Sequence, residues 1–164
     1  MDIQNIKVWQ WTSAGFRPKD SASVIAESPT TTYEASAGWR FKDGPEKIAA
    51  LKEGLPVKTF DALKNAMGIS EQALASVTRI AVRTLTRRKK EGRLRPEESE
   101  RLLRIGLLFD RAVEVLGGRE LAQQWFITPI IALGRVTPLE YADTEPGARE
   151  VENVLGRIEY GVFS

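Results

Sequence analysis

Cysteine and histidine are both absent from this chain of 164 residues. Without cysteine there is no disulfide framework, no thiolate nucleophile and no cysteine zinc site. Without histidine, the commonest general base and the commonest metal ligand are both missing. An enzyme of this sequence would depend on carboxylates, lysine, serine or tyrosine. The two absences therefore favour a non-enzymatic protein with no catalytic residues, no cofactor and no metal site.

Long hydrophobic runs are absent as well. No stretch of about 18 consecutive apolar residues exists, so the sequence predicts no membrane-spanning helix. The start, Met1 to Asn5, lacks the basic and apolar regions of a signal peptide. Apolar residues make up 42% of the chain, which is enough for a packed core. We expect a cytoplasmic protein that associates with the nucleoid when it binds DNA.

Charge is distributed unevenly along the chain. Residues 79–95 carry eight cations against Glu91 alone, a net charge of +7, although the whole chain carries only +2. Residues 137–164 carry six carboxylates against Arg149 and Arg157, a net charge of −4. The basic segment suits a polyphosphate and the acidic segment suits a basic protein surface.

Helical patterns dominate from Pro45 onward, so the sequence predicts an all-α fold. The clearest helix opens at Pro96 and is closed by Gly117-Gly118, with apolar residues at i, i+3 and i+4 positions between them. We expect three parts: residues 1–44, residues 45–117 as a helical domain containing a helix-turn-helix, and residues 118–164 as a small helical C-terminal domain. The long helix should pack the second part on the third.

Residues 1–44 differ from the rest, because serine, threonine, alanine and glycine dominate there and no helical period survives. We interpret them as a variable, flexible segment. The apolar stretch Val8 to Trp11 is the exception. We favour an anchor onto the protein's own core, and a short strand or partner contact is the alternative.

A helix-turn-helix pattern lies in the basic segment, as Leu74-Ala75-x-x-x-Arg79-Ile80-Ala81-x-x-x-Leu85. The start of the second helix of such a motif enters the major groove of DNA. The turn position is usually glycine, and a bulky Arg79 with positive φ costs on the order of 1 kcal/mol. The residues predicted to contact DNA are Arg79, Val82, Arg83, Thr84, Thr86, Arg87, Arg88, Lys89, Lys90 and Arg93.

The chemistry of these side chains suggests two roles. Arg83 and Arg87 lie four apart on one helix face and suit guanine, whereas the lysines and Arg93 suit phosphates. An earlier register with its turn at Gly68 has better turn chemistry, but its second helix would be acidic. Charge therefore favours the later register. The alternative is that the basic residues form only a solvated helix face.

The C-terminal segment carries a polar stripe at helical spacing, formed by Arg149, Glu150, Asn153 and Arg157. It is either a solvated face or a polar contact surface. Tyr160 and the residues after Gly161 place aromatic side chains at the terminus, where they can anchor in a partner's pocket or fold back on a dimer. Trp125 and Phe126 are more typical of a core than of a contact surface.

Taken together, these motifs resemble the Xre-type antitoxins that are paired with RES-domain toxins, over about residues 51–164. The first part of the resemblance is carried by Arg83-Thr84-Leu85-Thr86-Arg87-Arg88-Lys89, Gly92-Arg93-Leu94 and Glu98-Ser99-Glu100-Arg101-Leu102-Leu103-Arg104. The C-terminal part, similar to the toxin-binding domain of the MbcA/ParS/Xre group, is carried by Trp125 to Pro129, Ala132-Leu133-Gly134, Thr137-Pro138-Leu139-Glu140, Thr144-x-x-Gly147 and Val151 to Phe163.

The resemblance implies an all-α antitoxin that forms a homodimer, represses its own operon at operator DNA and neutralises an NAD⁺-consuming toxin. Its implied toxin-binding residues are Arg135, Arg149, Glu150, Asn153, Arg157, Tyr160, Gly161, Val162, Phe163 and Ser164. The family usually has Gly-Gly-Arg or a similar sequence after Leu133, whereas here Gly134 is followed directly by Arg135. The second departure is Arg79, which stands at the turn position where glycine is usual.

Two other functions remain open from the sequence. A regulator could use the C-terminal module to bind a small ligand or another regulatory protein, which a gene with no neighbouring toxin would favour. An enzyme could recruit Glu97/Glu98 or Glu150/Glu152, but neighbouring residues on a helix do not face each other.

Overall fold

The computed structural model describes the backbone of residues 9–12, 15–18, 33–34 and 40–41 and the whole of residues 44–161. Residues 44–161 fold into α-helices joined by short loops, with one 3₁₀ turn at Ile131–Leu133, which confirms the all-α class. The helices of this part are α1 (Gly44–Glu53), α2 (Lys58–Met67), α3 (Glu71–Val77), α4 (Val82–Glu91), α5 (Pro96–Leu116), α6 (Arg119–Ile127), α7 (Pro138–Tyr141) and α8 (Glu145–Tyr160).

Two short antiparallel hairpins precede the helices. Strand β1 (Trp9–Thr12) pairs with β2 (Gly15–Pro18), and β3 (Tyr33–Glu34) pairs with β4 (Arg40–Phe41). The strand that was the alternative interpretation of the Val8 to Trp11 stretch is therefore present at residues 9–12. Val8 and most of the other residues of the segment lie outside the described residues.

Helix ends follow the capping signals in the sequence. Ser70 caps α3 by accepting a hydrogen bond at Oγ from the backbone N–H of Ala73, and Thr144 caps α8 by accepting one from Gly147. Gly68 ends α2 with a left-handed backbone at φ 65°. Of these signals, the Ser70 cap fixes the start of α3, the helix that leads into the turn at residues 78–81.

The long helix α5 forms the centre of the molecule and packs against α1, α2, α6 and α8. Its Phe109 is fully buried and meets Phe126 of α6 edge to face, with ring centroids 5.7 Å apart. Trp125 is half-buried beside Phe126, so the prediction that both aromatics belong to the core is confirmed. The helical part thus has one continuous core, shared by the helix-turn-helix and the C-terminal helices.

A short clasp joins the chain before α2 to the chain before α5. The backbone N–H of Leu94 donates to the carbonyl of Leu55 at 2.9 Å, and that of Val57 donates to the carbonyl of Gly92 at 3.0 Å. The buried N–H of Leu55 donates to Ser99 Oγ at 2.8 Å. The segment from α2 to α4 is therefore closed at its base by hydrogen bonds.

Candidate nucleic-acid interface and partner surface

Helices α3 and α4 form a helix-turn-helix around a turn at residues 78–81. Leu74, Ile80 and Leu85 are buried at this junction, as the sequence pattern requires. Arg79 has a positive φ of 54°, which confirms the strained turn expected where glycine is usual. Ala81 precedes α4 without a capping side chain.

The turn is held by hydrogen bonds on both sides of the left-handed residue Arg79. Thr78 donates its hydroxyl to the carbonyl of Leu74 at 2.6 Å, and Arg101 of α5 donates from Nε to the carbonyl of Thr78 at 2.6 Å. The backbone N–H of Ile80 donates to the carbonyl of Ala75 at 2.9 Å. The direction in which α4 leaves the turn is therefore fixed by α3 and α5.

One face of α4 is basic and solvent-exposed. Arg83, Thr86, Arg87 and Lys90 follow the i, i+3, i+4, i+7 spacing of one helix face, and all four are exposed. At the start of the helix Val82 is also exposed, at 47%, whereas Thr84 is half-buried. This arrangement suits a helix that presents its first turns and three cations to nucleic acid.

Arg88 does not lie on the outward face of α4, so its prediction as a DNA contact is wrong. It is only 3% exposed, and its guanidinium donates to Glu98 at 2.8 and 3.1 Å and to Glu91 at 2.5 Å. The hydrogen bonds to Glu98 and Glu91 raise the pKa of Arg88 above its ordinary value. Burial alone would raise the pKa of Glu98, but hydrogen bonds from Arg88 and the Arg95 backbone lower it overall. Arg88 is a structural cation that holds α4 on α5.

Two of the other predicted phosphate contacts are already paired with protein groups. Lys89 Nζ lies 2.6 Å from a Glu71 carboxylate oxygen, and that hydrogen bond raises the pKa of Lys89. Arg93 donates to the carbonyl of Gly54 at 2.8 Å and lies 3.5 Å from Glu53. Within residues 44–161, no ion pair involves Arg83 or Lys90, so these two present their full charge outward.

Helix α8 presents the polar stripe of the C-terminal module. Its four members are all exposed, and Arg149 pairs within its own helix, with Glu145 at 2.6 Å. Tyr160 is 70% exposed, and Gly161 ends the helix with a left-handed φ of 65°. The predicted contacts Val162, Phe163 and Ser164 lie outside the described residues.

A loop between α6 and α7 carries the remaining predicted toxin contact, Arg135. At its base the backbones of Ile130 and Val136 pair with each other, and the N–H of Ile130 donates to the carbonyl of Val136 at 3.2 Å. Arg135 is exposed and has a positive φ of 65°. Ile131 at the tip is 83% exposed, which is unusual for a large apolar side chain. The loop therefore exposes one cation and one large apolar side chain.

An acidic groove of about 410 Å³ lies beside this loop, where α7 meets the start of α8. Its lining includes Val136, Glu140, Tyr141, Asp143 and Glu150. Asp143 also reaches across to the turn of the helix-turn-helix, because Arg79 donates to its Oδ2 at 2.7 Å. The predicted DNA contact Arg79 is thus paired with a carboxylate of the C-terminal module.

Sequence reasoning missed two residues of these sites, Glu98 and Asp143. Glu98 was considered only as part of the family motif and as a carboxylate of the enzyme alternative, and nothing in its spacing indicates a partner ten residues away in α4. Asp143 contributes to the acidic charge of residues 137–164, but its contact is 64 residues away along the chain. No periodic signal reports such distant pairs.

Metal and membrane features are absent from the part of the chain that the structure describes. That part contains no cluster of three or more metal-ligating side chains. None of its helices combines the length and the apolar character needed to cross a bilayer.

Comparison with known proteins assigns both halves of the helical region. The family described as Antitoxin Xre-like helix-turn-helix domain matches residues 46–105, and that described as Antitoxin Xre/MbcA/ParS C-terminal toxin-binding domain matches residues 111–161. The stripe, the loop and the groove described above all lie in the second region.

Full-length relatives match as well. The protein named Antitoxin Xre from Photorhabdus laumondii is 37% identical over 131 residues, covering 79% of this chain and 88% of its own length. Antitoxin Xre from Yersinia enterocolitica is 37% identical over 146 residues, covering 85% and 99%. A protein from Sphingobium sp. named Prs ADP-ribosylating antitoxin is 24% identical over 129 residues, covering 73% and 81%.

Proposed function

Because the chain belongs to the Xre family of antitoxins, we propose that it neutralises a RES-domain toxin that consumes NAD⁺ and represses its own operon. The observation that carries the proposal is the division of surface charge. A basic face on α4 lies in the helix-turn-helix, and an acidic groove lies in the toxin-binding domain. Two such surfaces can hold DNA and a protein at the same time.

The DNA half of the proposal rests on the exposed face of α4. Arg83 and Arg87 each suit two hydrogen bonds to a guanine, and Lys90 suits a phosphate. Arg88 has no part in it, because its guanidinium is buried against Glu98. Operator recognition then depends on two arginines four residues apart.

The toxin half rests on the exposed stripe of α8 and the terminal residues after it. A pocket that binds an anionic dinucleotide should be basic, and the end of α8 adds negative character through its carbonyls. The segment Tyr160 to Ser164 would then plug the entrance of the toxin's pocket, while the stripe of Arg149, Glu150, Asn153 and Arg157 contacts its rim. The name of the Sphingobium relative mentions ADP-ribosylation, a reaction in which NAD⁺ is the donor.

Three further parts of the proposal concern organisation. Residues 45–117 act as the DNA-binding domain and residues 118–164 as the toxin-binding domain, with residues 1–44 a variable segment.

The protein acts as a homodimer, because two half-sites are usually bound through a two-fold axis. It acts in the bacterial cytoplasm, and at the nucleoid when it is bound to its operator. Sedimentation at micromolar concentration should show a dimer, and a monomer alone would contradict this part.

The two activities should be separable by variants at opposite ends of the helical region. Deletion of Tyr160–Ser164 should keep promoter binding and lose protection of cells that express the neighbouring RES-domain toxin. Arg83→Ala with Arg87→Ala should keep the protection against the toxin. It should lower the promoter affinity by about a hundredfold or more, since each guanine contact contributes about 1–3 kcal/mol. Gel shifts and growth curves measure the two outcomes.

Three results would contradict the proposal. Absence of a RES-domain gene next to this one would favour a regulator without a toxin. Wild-type promoter affinity in the double arginine variant would remove the DNA role of α4. Full protection by the truncated protein would reject the plug and move toxin binding to the stripe from Arg149 to Arg157.

A further inference from the structure

We propose that Asp143 of the toxin-binding domain withholds Arg79 from DNA, so that the C-terminal module restrains the helix-turn-helix. The inference rests on the proposed DNA binding and adds a regulatory contact to it. Its basis is the hydrogen bond from Arg79 to Asp143 Oδ2 at 2.7 Å, which joins the turn before α4 to the loop between α7 and α8.

The position of Arg79 places it at the DNA-facing side of the motif. Together with Gln72, Ser76 and Val82 it lines a shallow hollow of about 270 Å³ between α3 and the start of α4. The start of the second helix of such a motif enters the major groove, so phosphates pass close to these residues. A guanidinium released from Asp143 would find a phosphate within reach of this hollow.

The turn does not need the ion pair for its shape. Ile80 is buried, and the backbone around it is held by Thr78 and by Arg101. The Arg79 and Asp143 side chains are 57% and 39% exposed, and such solvent-screened pairs contribute little to the stability of a fold. The pair therefore changes the charge that the motif presents more than it changes the fold.

Asp143 also lines the acidic groove of the toxin-binding domain. A cation that enters the groove from a partner protein would compete with Arg79 for the Asp143 carboxylate. Release of Arg79 would then add one phosphate contact. Because linkage is reciprocal, groove occupancy and DNA binding would strengthen each other.

The test compares Asp143→Asn with the wild type on a promoter duplex over a range of salt concentrations. One added phosphate contact steepens the slope of log K against log salt by about 0.9, and at about 0.1 M salt it corresponds to roughly fivefold to tenfold tighter binding. In an Arg79→Gly background, Asp143→Asn should change neither the affinity nor the slope. Glycine suits the left-handed backbone of this position, so the background variant should remain folded.

Glu140→Gln is the matched control. It removes one negative charge from the same groove, and glutamine retains the capping box that Glu140 forms with Thr137. We expect it to leave the salt slope unchanged. Equal effects of Glu140→Gln and Asp143→Asn would mean that only the general field of the groove acts, and would overturn the proposal.

Unchanged or weaker binding by Asp143→Asn would also overturn the proposal, as would an equal gain in the Arg79→Gly background. A wild-type protein that binds neither the promoter nor an unrelated duplex would instead reject the proposed DNA-binding function. Circular dichroism melting of each variant checks that the comparison is made between folded proteins.

Discussion

Helices α4 and α8 both present charged faces, but they use their charges differently. In α4 the cations are divided: Arg88 is buried, Lys89 is paired with α3, and Arg83 faces solvent. In α8 the charged residues of the stripe all stay outside, and Arg149 pairs with Glu145 of the same helix. In the basic segment that contains α4, the net charge counted from the sequence is therefore larger than the charge that the helix presents to a partner.

The difference follows from how many apolar side chains each helix offers to the core. Helix α8 buries Val151, Val154 and Leu155, so none of its charged side chains is fully buried, although Glu159 is half-buried against Arg111 of α5. Helix α4 has only Leu85 as a buried apolar residue, and the next core-facing position along the helix is Arg88. A charge buried there is tolerable only because Glu98 meets it from α5.

The largest expected effect is on stability, at Arg88. Arg88→Ala leaves the buried Glu98 carboxylate without its partner, and removal of one member of a buried pair costs about 3–5 kcal/mol. Arg87→Ala, one residue away on the exposed face, should change the free energy of unfolding by only about 0.5 kcal/mol or less. Urea unfolding of the two variants measures the difference.

A second pair of substitutions controls this prediction. Arg88→Met with Glu98→Leu removes both charges and keeps apolar volume, so it should recover most of the stability that Arg88→Ala loses. Similar stabilities for Arg88→Ala and Arg87→Ala would contradict the structural role of Arg88 and return it to the outward face.

A smaller effect is expected at the two lysines of α4. Lys90→Ala should reduce the slope of log K against log salt for DNA by about 0.9, the value of one phosphate contact. Lys89→Ala should reduce it less, because Glu71 already holds the ammonium group of Lys89. Equal reductions would show that Lys89 leaves Glu71 on binding. A larger reduction for Lys89→Ala than for Lys90→Ala would mean that Lys89, and not Lys90, makes the main phosphate contact.

Most of the fold was predictable because the signals are local. Pro96, the glycines at helix ends and the capping residues Ser70 and Thr144 act within one turn of the helix that they delimit. The left-handed backbone of Arg79 was predictable for the same reason, since the helix-turn-helix pattern prescribes a conformation at that position. The strand at Val8 to Trp11 was only an alternative and its pairing with residues 15–18 was not predicted, because these strands are too short for a clear period of two.

The candidate site was less predictable, because it depends on pairs that are distant in sequence. Spacing on α4 placed Arg83 and Arg87 outward correctly, but the same reasoning assigned Arg88 outward as well. Which of these arginines turns inward is decided by Glu98 in the next helix, and the position of Glu98 relative to α4 is a property of the packed structure. Asp143 shows the same limit over a longer separation.

The clasp between the chain before α2 and the chain before α5 has a consequence for local unfolding. The amide hydrogens of Leu55, Val57 and Leu94 are bonded across the base of the segment that contains α4, and Leu55 and Leu94 are buried. Complete unfolding of α4 therefore requires this base to open and Arg88 to leave Glu98. Segments tied in this way unfold as cooperative units instead of fraying from one end. The helix proposed to bind DNA is thus protected from partial unfolding, and from proteases that act on it, for as long as the core of α5 remains intact.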